Sequence, residues 1–320
     1  MRFVTFSTVA DGPSILGLVT GDEVVDLRTG LEGIVDVPVR LMDYVTAGPE
    51  LHAQVVAAVA KQGPWPDGVT YPLSGVTLRA PLRPGKVVGV GLNYVEHVEE
   101  SSRTLDTAKE LPTRPVLFSK PGTAVVGPGE PIQHNATMTE QLDWECELAV
   151  VIGRAARNVP ESDALDYVFG YSIINDISAR DQRRSGQWFF SKGQDSYAPF
   201  GPMIVTTDEI TDPHTLRLTL TVNGAQRQDG NSRNMLFKIP TLIADITSGV
   251  TLEPGDVIAT GSPQGVGAAM DPPTFLQPGD VVACTIERIG TLTNPVVAVQ
   301  YPPPRHLNQI PAQLAKILVI

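Results

Sequence analysis

From Leu82 onward the sequence is almost entirely strand and turn, and that pattern confines the chain to a β-rich architecture. Candidate strands are KVVGVG, VLFSK, ELAVVIG, FGYSIIND, PMIVT, LRLTLTVNG, DVIAT, VVACTIERIG and PVVAV, most of them bounded by Gly, Pro, Asn or Asp. The best helix candidates in this stretch are Glu161–Val168 and Pro240–Thr247. A local echo, Leu252-Glu-Pro-Gly-Asp256-Val-Ile and Leu276-Gln-Pro-Gly-Asp280-Val-Val, places Pro-Gly at the centre of a turn each time. Pro followed by Gly suits a type II turn, because Gly takes the positive φ that other residues resist. Each echo therefore reads as a tight turn that launches a strand, as in sandwiches and barrels.

Residues 1–80 read as a smaller unit. RFVTF, ILGLV and EVVDL are short β-rich runs separated by Asp11-Gly12 and Gly21-Asp22, and Leu51–Lys61 reads as an Ala-rich helix. The Pro/Gly-rich GPWPDG then breaks the pattern before a main domain at 81–320. A length of 320 residues fits one large β-rich domain plus a small one. The expected class is mostly β (α+β), with a small N-terminal α/β domain.

Charge narrows the range of partners. The formal net charge is -11 and no block of Lys or Arg occurs, so the clustered cations that track a phosphate backbone are missing and nucleic acid is not expected as a partner. An acidic chain binds an anionic substrate only where something local supplies positive charge, and a bound metal ion is one such supply. Cys146 and Cys284 sit inside apolar runs and read as buried core residues rather than a bridge or a thiolate nucleophile. The N-terminus reads as a strand, not a signal peptide, and no run approaches the ~18 apolar residues of a membrane span. The expectation is a cytoplasmic protein without a membrane partner.

Two glycine-rich stretches invite nucleotide readings that fail. Gly89-Val-Gly91-Leu-Asn-Tyr94 puts Tyr94 at the third glycine of a dinucleotide fingerprint, and Thr260-Gly-Ser-Pro-Gln-Gly-Val-Gly267 lacks the Gly-Lys-Ser/Thr end of a phosphate loop. No Gly-x-Ser-x-Gly elbow is present.

The chemistry lies elsewhere. In LDWECELAVVIG, Glu145 and Glu147 stand two apart at the start of an apolar strand, so they project from one face while Cys146 projects from the other. They form either a solvated strand end or a buried like-charged pair that needs a cation. Asp176 follows the apolar strand in FGYSIIND, where it either caps a turn or serves a site. Three carboxylates with open positions suit an oxygen-loving ion, Mg²⁺ or Mn²⁺. His97 lies three residues before Glu100, a spacing that lets two side chains meet on a helix, as a surface pair or as a base with its orienting acid. Lys192 in WFFSKGQDS is a snorkelling lysine or a site cation, and Ser262 in TGSPQGVG is a turn former or a ligand hydroxyl.

Taken in order, KVVGVGLNYVEHVEE, PVLFSKP, LDWECELAVVIGRAARNV, YVFGYSIINDISARD, KGQDSYAPFGP, LTLTVNG, TLEPGDVIATGSPQGVG and LQPGDVVACTIERIGTLTN resemble the fumarylacetoacetate hydrolase family over residues 80 to 298. The resemblance implies a mixed β-sandwich roll, a homodimer, and Glu145, Glu147 and Asp176 as ligands of Mg²⁺ or Mn²⁺. It implies His97 with Glu100 as a water-activating dyad on a lid, Lys192 as the lysine near the metal, and Ser262 as a substrate hydroxyl where members often have Thr. Two positions depart from the family: members often show Arg-Asp-x-Gln where this chain has Arg180-Asp-Gln182-Arg183, and Leu92 replaces an Arg that some relatives carry. The reaction expected is metal-dependent hydrolysis of a carbon–carbon bond in a small 2,4-dioxo acid. The alternative is isomerisation or decarboxylation of a 2-oxo or 2-hydroxymuconate-type acid at the same site.

Overall fold

Val and Ile in ELAVVIG, and Phe, Tyr and Ile in FGYSIIND, favour extended backbone, and these runs become the centre of the molecule. The computed structural model describes residues 1–96, 111–183 and 186–301. Its largest sheet has twelve strands. From one edge it runs Thr70–Pro72, Glu23–Asp26, Ile15–Thr20, Arg2–Ser7, Ala198–Thr206, Val168–Asn175, Cys146–Ile152, Val257–Ala259, Lys86–Gly91 and Val116–Pro121, with Thr77–Arg79 and Val125–Val126 attached beside this path. Arg2–Ser7 pairs antiparallel with Ala198–Thr206, so the sheet continues from the N-terminal residues into the rest of the chain. A second sheet of five strands contains Ala225–Asn231, Arg217–Val222, Val281–Ile286, Gly290–Ala298 and Ile132–His134. Most pairs are antiparallel, but Val257–Ala259 lies parallel to Lys86–Gly91. The chain is mostly β with mixed sheets, as its sequence pattern requires.

Strand Cys146–Ile152 shows why the central strands read as continuous apolar runs. Cys146, Leu148, Val150 and Ile152 join a core with Leu218, Leu220 and Ile286 of the five-stranded sheet. Ala149 and Val151 face the other way, into a second core with Leu27, Tyr44 and Val55 of the N-terminal helices. Both faces are covered, so no position is left for a polar residue except at the strand ends. The functional acids occupy those ends.

The N-terminal helix spans Pro49–Lys61, Glu161–Tyr167 forms a 3-10 helix, and Ile239–Gly249 is α-helical. Among the described residues no helix is long and apolar enough to cross a membrane.

The two Pro-Gly turns take the geometry expected of them, with Gly255 at φ 85° and Gly279 at φ 99°. Their surroundings differ. A Cβ on Gly255 would lie 2.4 Å from Met42 Sδ, whereas one on Gly279 would meet nothing within 4 Å. Gly279→Ala is therefore expected to cost only the left-handed strain, ~1–2 kcal/mol, and Gly255→Ala that strain plus displacement of Met42. Denaturant midpoints should fall in that order. Equal losses would mean that Met42 yields without cost.

Candidate metal and substrate site

Antiparallel pairing assembles the site. Cys146 lies opposite Asn175, so the residue before one strand meets the residue after the other, and Asp176 N–H donates to the Glu145 carbonyl at 2.8 Å. Glu147 stands one pleat further along, on the same side as Glu145. Ligand-capable oxygens of Glu145, Glu147 and Asp176 all lie within 4.8 Å of one another. Their relative exposures of 4%, 2% and 0% exclude a solvated strand end.

Burial of three like charges requires compensation. Lys192 ends the short helix Phe189–Lys192, and its Nζ donates to Glu145 Oε2 at 2.6 Å and to Asp176 Oδ2. Burial alone would lower the Lys192 ammonium, but the Asp176 and Glu145 carboxylates outweigh it and hold the group above its ordinary value. Lys120, fully buried at the end of Val116–Pro121, places Nζ 2.5 Å from Asp176 Oδ1. That contact is ionic rather than an aligned hydrogen bond, because Lys120 donates to the carbonyls of Ile177, Tyr197 and Lys192. Arg180 reaches Glu145 Oε1 at 2.7 Å and Asp143 Oδ2 at 2.9 Å. Asp143 also accepts the amides of Gly267 and Ala268, which anchors that ion pair to the 267–269 turn.

Among the described residues Glu147 is compensated least. Its Oε2 accepts the Gly261 amide at 2.9 Å, and burial followed by the charges of Asp176 and Glu145 pushes its carboxyl well above the ordinary range. A converging set of buried carboxylate oxygens, one of them poorly neutralised, is the donor chemistry of a hard divalent ion. The residues present fit such an ion. The cavity that the acids share with Leu92, Trp188, Lys192 and Ser262 has a volume of about 20 Å³, which suits an ion or one water.

The loops around the acids are fixed by buried amides. Asn93 Nδ2 donates to Thr260 O at 2.7 Å and Phe237 O at 3.1 Å, while its Oδ1 accepts Phe237 N–H. This clamp holds Leu92, at φ 57°, on the cavity wall. Ser262 is also on that wall, its Oγ held by Gln228 Nε2 at 2.7 Å. The glycines that imitate a dinucleotide fingerprint serve packing instead: a Cβ on Gly89 would strike the Phe118 ring at 2.1 Å, and one on Gly91 would strike Trp188 at 2.4 Å.

Of the residues singled out in the sequence, the structure brings together Glu145, Glu147, Asp176, Lys192 and Ser262. His97 and Glu100 lie outside the described residues. The sequence reading passed over Lys120, Asp143, Arg180, Arg183 and Gln228. Lys120 was legible in principle, as a lysine closing an apolar strand; the others depend on chain reversals that no spacing rule reports.

The chain matches the family described as fumarylacetoacetate (FAA) hydrolase C-terminal over residues 86–297. Oxaloacetate tautomerase YisK of Bacillus subtilis (strain 168) is 40% identical over 291 residues, 88% of this chain and 95% of its own. The mitochondrial oxaloacetate tautomerase fahd2 of Xenopus laevis is 38% identical over 304 residues, 93% and 90% of the two chains. Among solved structures, 5-carboxymethyl-2-hydroxymuconate delta-isomerase from Mycobacterium smegmatis aligns with a TM-score of 0.69 at 35% identity, covering 93% of this chain and 100% of that one. Maleylpyruvate hydrolase from Sphingobium sp. SYK-6, in complex with manganese (II) ion and pyruvate, aligns with a TM-score of 0.74 at 31% identity over 94% and 100%.

These relatives correct the reaction expected from the sequence. Hydrolytic carbon–carbon cleavage, and the hydrolase assignment with it, is overturned by relatives named tautomerases at 38–40% identity and a neighbour named an isomerase. The physical reason is plain: a metal ion held by the acids, with a lysine beside it, would stabilise oxyanion charge in every reaction passing through such charge, so their presence does not select one.

Mn²⁺ is expected to raise the unfolding midpoint of the wild-type chain, with ~2.7 kcal/mol gained at a hundredfold excess over Kd. Glu147→Gln keeps the shape and removes a charge, so it should lose that gain. An undiminished gain in Glu147→Gln would remove Glu147 from the ion site.

Proposed function

The chain belongs to the fumarylacetoacetate hydrolase family, and from that premise we propose that it interconverts the keto and enol forms of a small 2-oxo acid at a Mg²⁺ or Mn²⁺ site. The observation that carries this reading is the buried triad Glu145, Glu147 and Asp176 with the Lys192 ammonium placed against it. The tautomerase names of the relatives and the manganese and pyruvate of one structural neighbour support it.

The reaction moves one proton from C3 of the acid to its 2-oxo oxygen. No bond between heavy atoms breaks, no water is consumed and nothing is oxidised. A divalent ion held by the three carboxylates would supply a Lewis acid for the 2-oxo and carboxylate oxygens. Lys192, held protonated, offers hydrogen bonds to negative charge that develops on an oxygen in the cavity. Leu92 and Trp188 contribute apolar wall, which limits the water that would compete for that charge. Arg180 fixes the Glu145 carboxylate. On this reading His97, oriented by Glu100, takes the proton from carbon rather than from water. Ser262 provides a hydroxyl to the bound acid. A homodimer is part of the same proposal, and sedimentation velocity of the purified chain tests it separately.

The direct assay follows ketonisation of enol-oxaloacetate by ultraviolet absorbance. The metal-loaded chain should accelerate it over buffer, EDTA should abolish the acceleration, and Mg²⁺ or Mn²⁺ should restore it. His97→Ala is expected to lower kcat by ~10²–10⁴, the usual contribution of a positioned base, while metal affinity stays unchanged. A metal-loaded wild-type chain that leaves the enol decay at the buffer rate would refute the proposal.

A further inference from the structure

The helix Ile239–Gly249 begins without a cap of its own. Lys238, at its N-cap position, makes no side-chain capping bond, and Pro240 has no N–H to satisfy. The Leu242 amide is met by Lys238 O at 3.0 Å. Of the N–H groups that remain, that of the fully buried Ile239 donates to His214 Nε2 at 3.2 Å. A histidine 25 positions upstream thus does what Ser, Asp or Asn does at an ordinary helix start. The bond dictates a protonation state, because Nε2 accepts only from the neutral imidazole with its proton on Nδ1. Asp212 favours that tautomer: its Oδ1 lies 3.5 Å from His214 Nδ1 and accepts the His214 backbone amide at 2.9 Å. Among the described residues the charged groups acting on the ring are Asp212, from its own turn, and Lys238, from the helix. Burial, followed by the Lys238 ammonium, holds His214 below the ordinary histidine range, and Asp212 offsets them only in part. The unfolded chain therefore takes up this proton first as pH falls. The cap is fully present above the ordinary value of ~6.5 and is lost as pH falls through the lower folded value.

Two residues before the capped Ile239, Phe237 is held by Asn93. Phe237 N–H donates to Asn93 Oδ1 at 2.7 Å, Phe237 O accepts Asn93 Nδ2 at 3.1 Å, and Leu236 N–H donates to Asn93 O at 2.7 Å. Tyr94 pairs with Met235 in an isolated bridge. Asn93 also reaches Thr260 O and follows Leu92, which lines the cavity with Glu145, Glu147 and Asp176. Segment 235–239 is therefore stitched to the cavity wall at one end and to His214 at the other. A proton on Nε2 would turn the acceptor into a donor that faces a donor, and would set a cation against Lys238 and the positive end of the helix. We propose that His214 is a positioning residue for the cavity: while neutral it caps the helix and keeps Phe237 seated on Asn93, and its protonation loosens both. It acts on the wall through Asn93.

Amide hydrogen exchange on the full-length, Mg²⁺-saturated chain tests this from pH 8 to pH 5, each rate taken relative to the unstructured rate at that pH. Exchange reads the wall and not turnover, so the outcome is independent of which acid the cavity takes. In the wild type, protection of 236–239 and of 92–94 should fall together on acidification, by ~2–30-fold, the range for a lost helix cap. The strand Arg2–Ser7, far along the large sheet, is the reference and should keep its protection throughout. His214→Gln offers a carbonyl oxygen that accepts at every pH, so both segments should stay protected down to pH 5. His214→Phe cannot accept, and should show the acid-state exchange already at pH 8. Wild-type protection that survives to pH 5, an acid loss that persists in His214→Gln, or a loss at 236–239 that leaves 92–94 unmoved would overturn the proposal. So would an equal loss at Arg2–Ser7, which would mark general loosening. If His214→Phe fails to fold, the wild type and His214→Gln decide among these outcomes.

Discussion

Burying Glu145, Glu147 and Asp176 within 4.8 Å of one another is the constraint on which the rest of the structure turns. Carboxylates that close repel, and each loses its hydration, so the fold must return to them what water provided. It does so from distant parts of the chain: Lys120 from the edge strand of the large sheet, Lys192 from a short helix, Arg180 from the turn after Ser178–Ala179, and the Gly261 amide from the loop after Val257–Ala259. Removing any one of these leaves a buried charge uncompensated. The site is therefore also a structural joint, and its members hold together elements that are far apart in sequence.

The same constraint explains the order of compensation. Lys120 spends its hydrogen bonds on three carbonyls and gives Asp176 only its charge, which fixes the backbone around Ile177, Lys192 and Tyr197. Lys192 bridges two acids, and Arg180 ties one of them to Asp143. Among the described residues Glu147 receives a single amide and stays underneutralised. A protein that only needed stability would have closed this gap with another cation. Leaving it open favours an ion that can also bind substrate.

Much of this was legible in the sequence. The period of two in Glu145-Cys146-Glu147 set both acids on one face, and Asp176 stood out because it follows an apolar strand of a kind that tolerates no stray charge. The Pro-Gly turns were legible because their chemistry is local. What stayed hidden depends on tertiary approach. Arg180 and Asp143 are 37 residues apart and meet only because two short strands, Leu142–Asp143 and Ser178–Ala179, pair. Gln182 seemed one place off the family pattern; the structure puts Arg183, the next residue, on the cavity wall, so a cation stands at the place where the pattern leads one to look for an amide. His97 and Glu100 lie outside the described residues, and their role still rests on the sequence.

The reaction was the least legible feature, for a reason internal to the chemistry. A divalent ion held by these carboxylates, together with a protonated lysine, would lower the energy of negative charge on a 2-oxo oxygen, whatever produced that charge. Proton transfer from C3 and attack on a more distant carbonyl both draw on this stabilisation, so the acids that dominate the sequence signal are silent on the choice. The choice belongs to the residues that decide what else enters the cavity. A net charge of -11 is no guide to it either, because the field at a buried site is set by the few groups in contact with it.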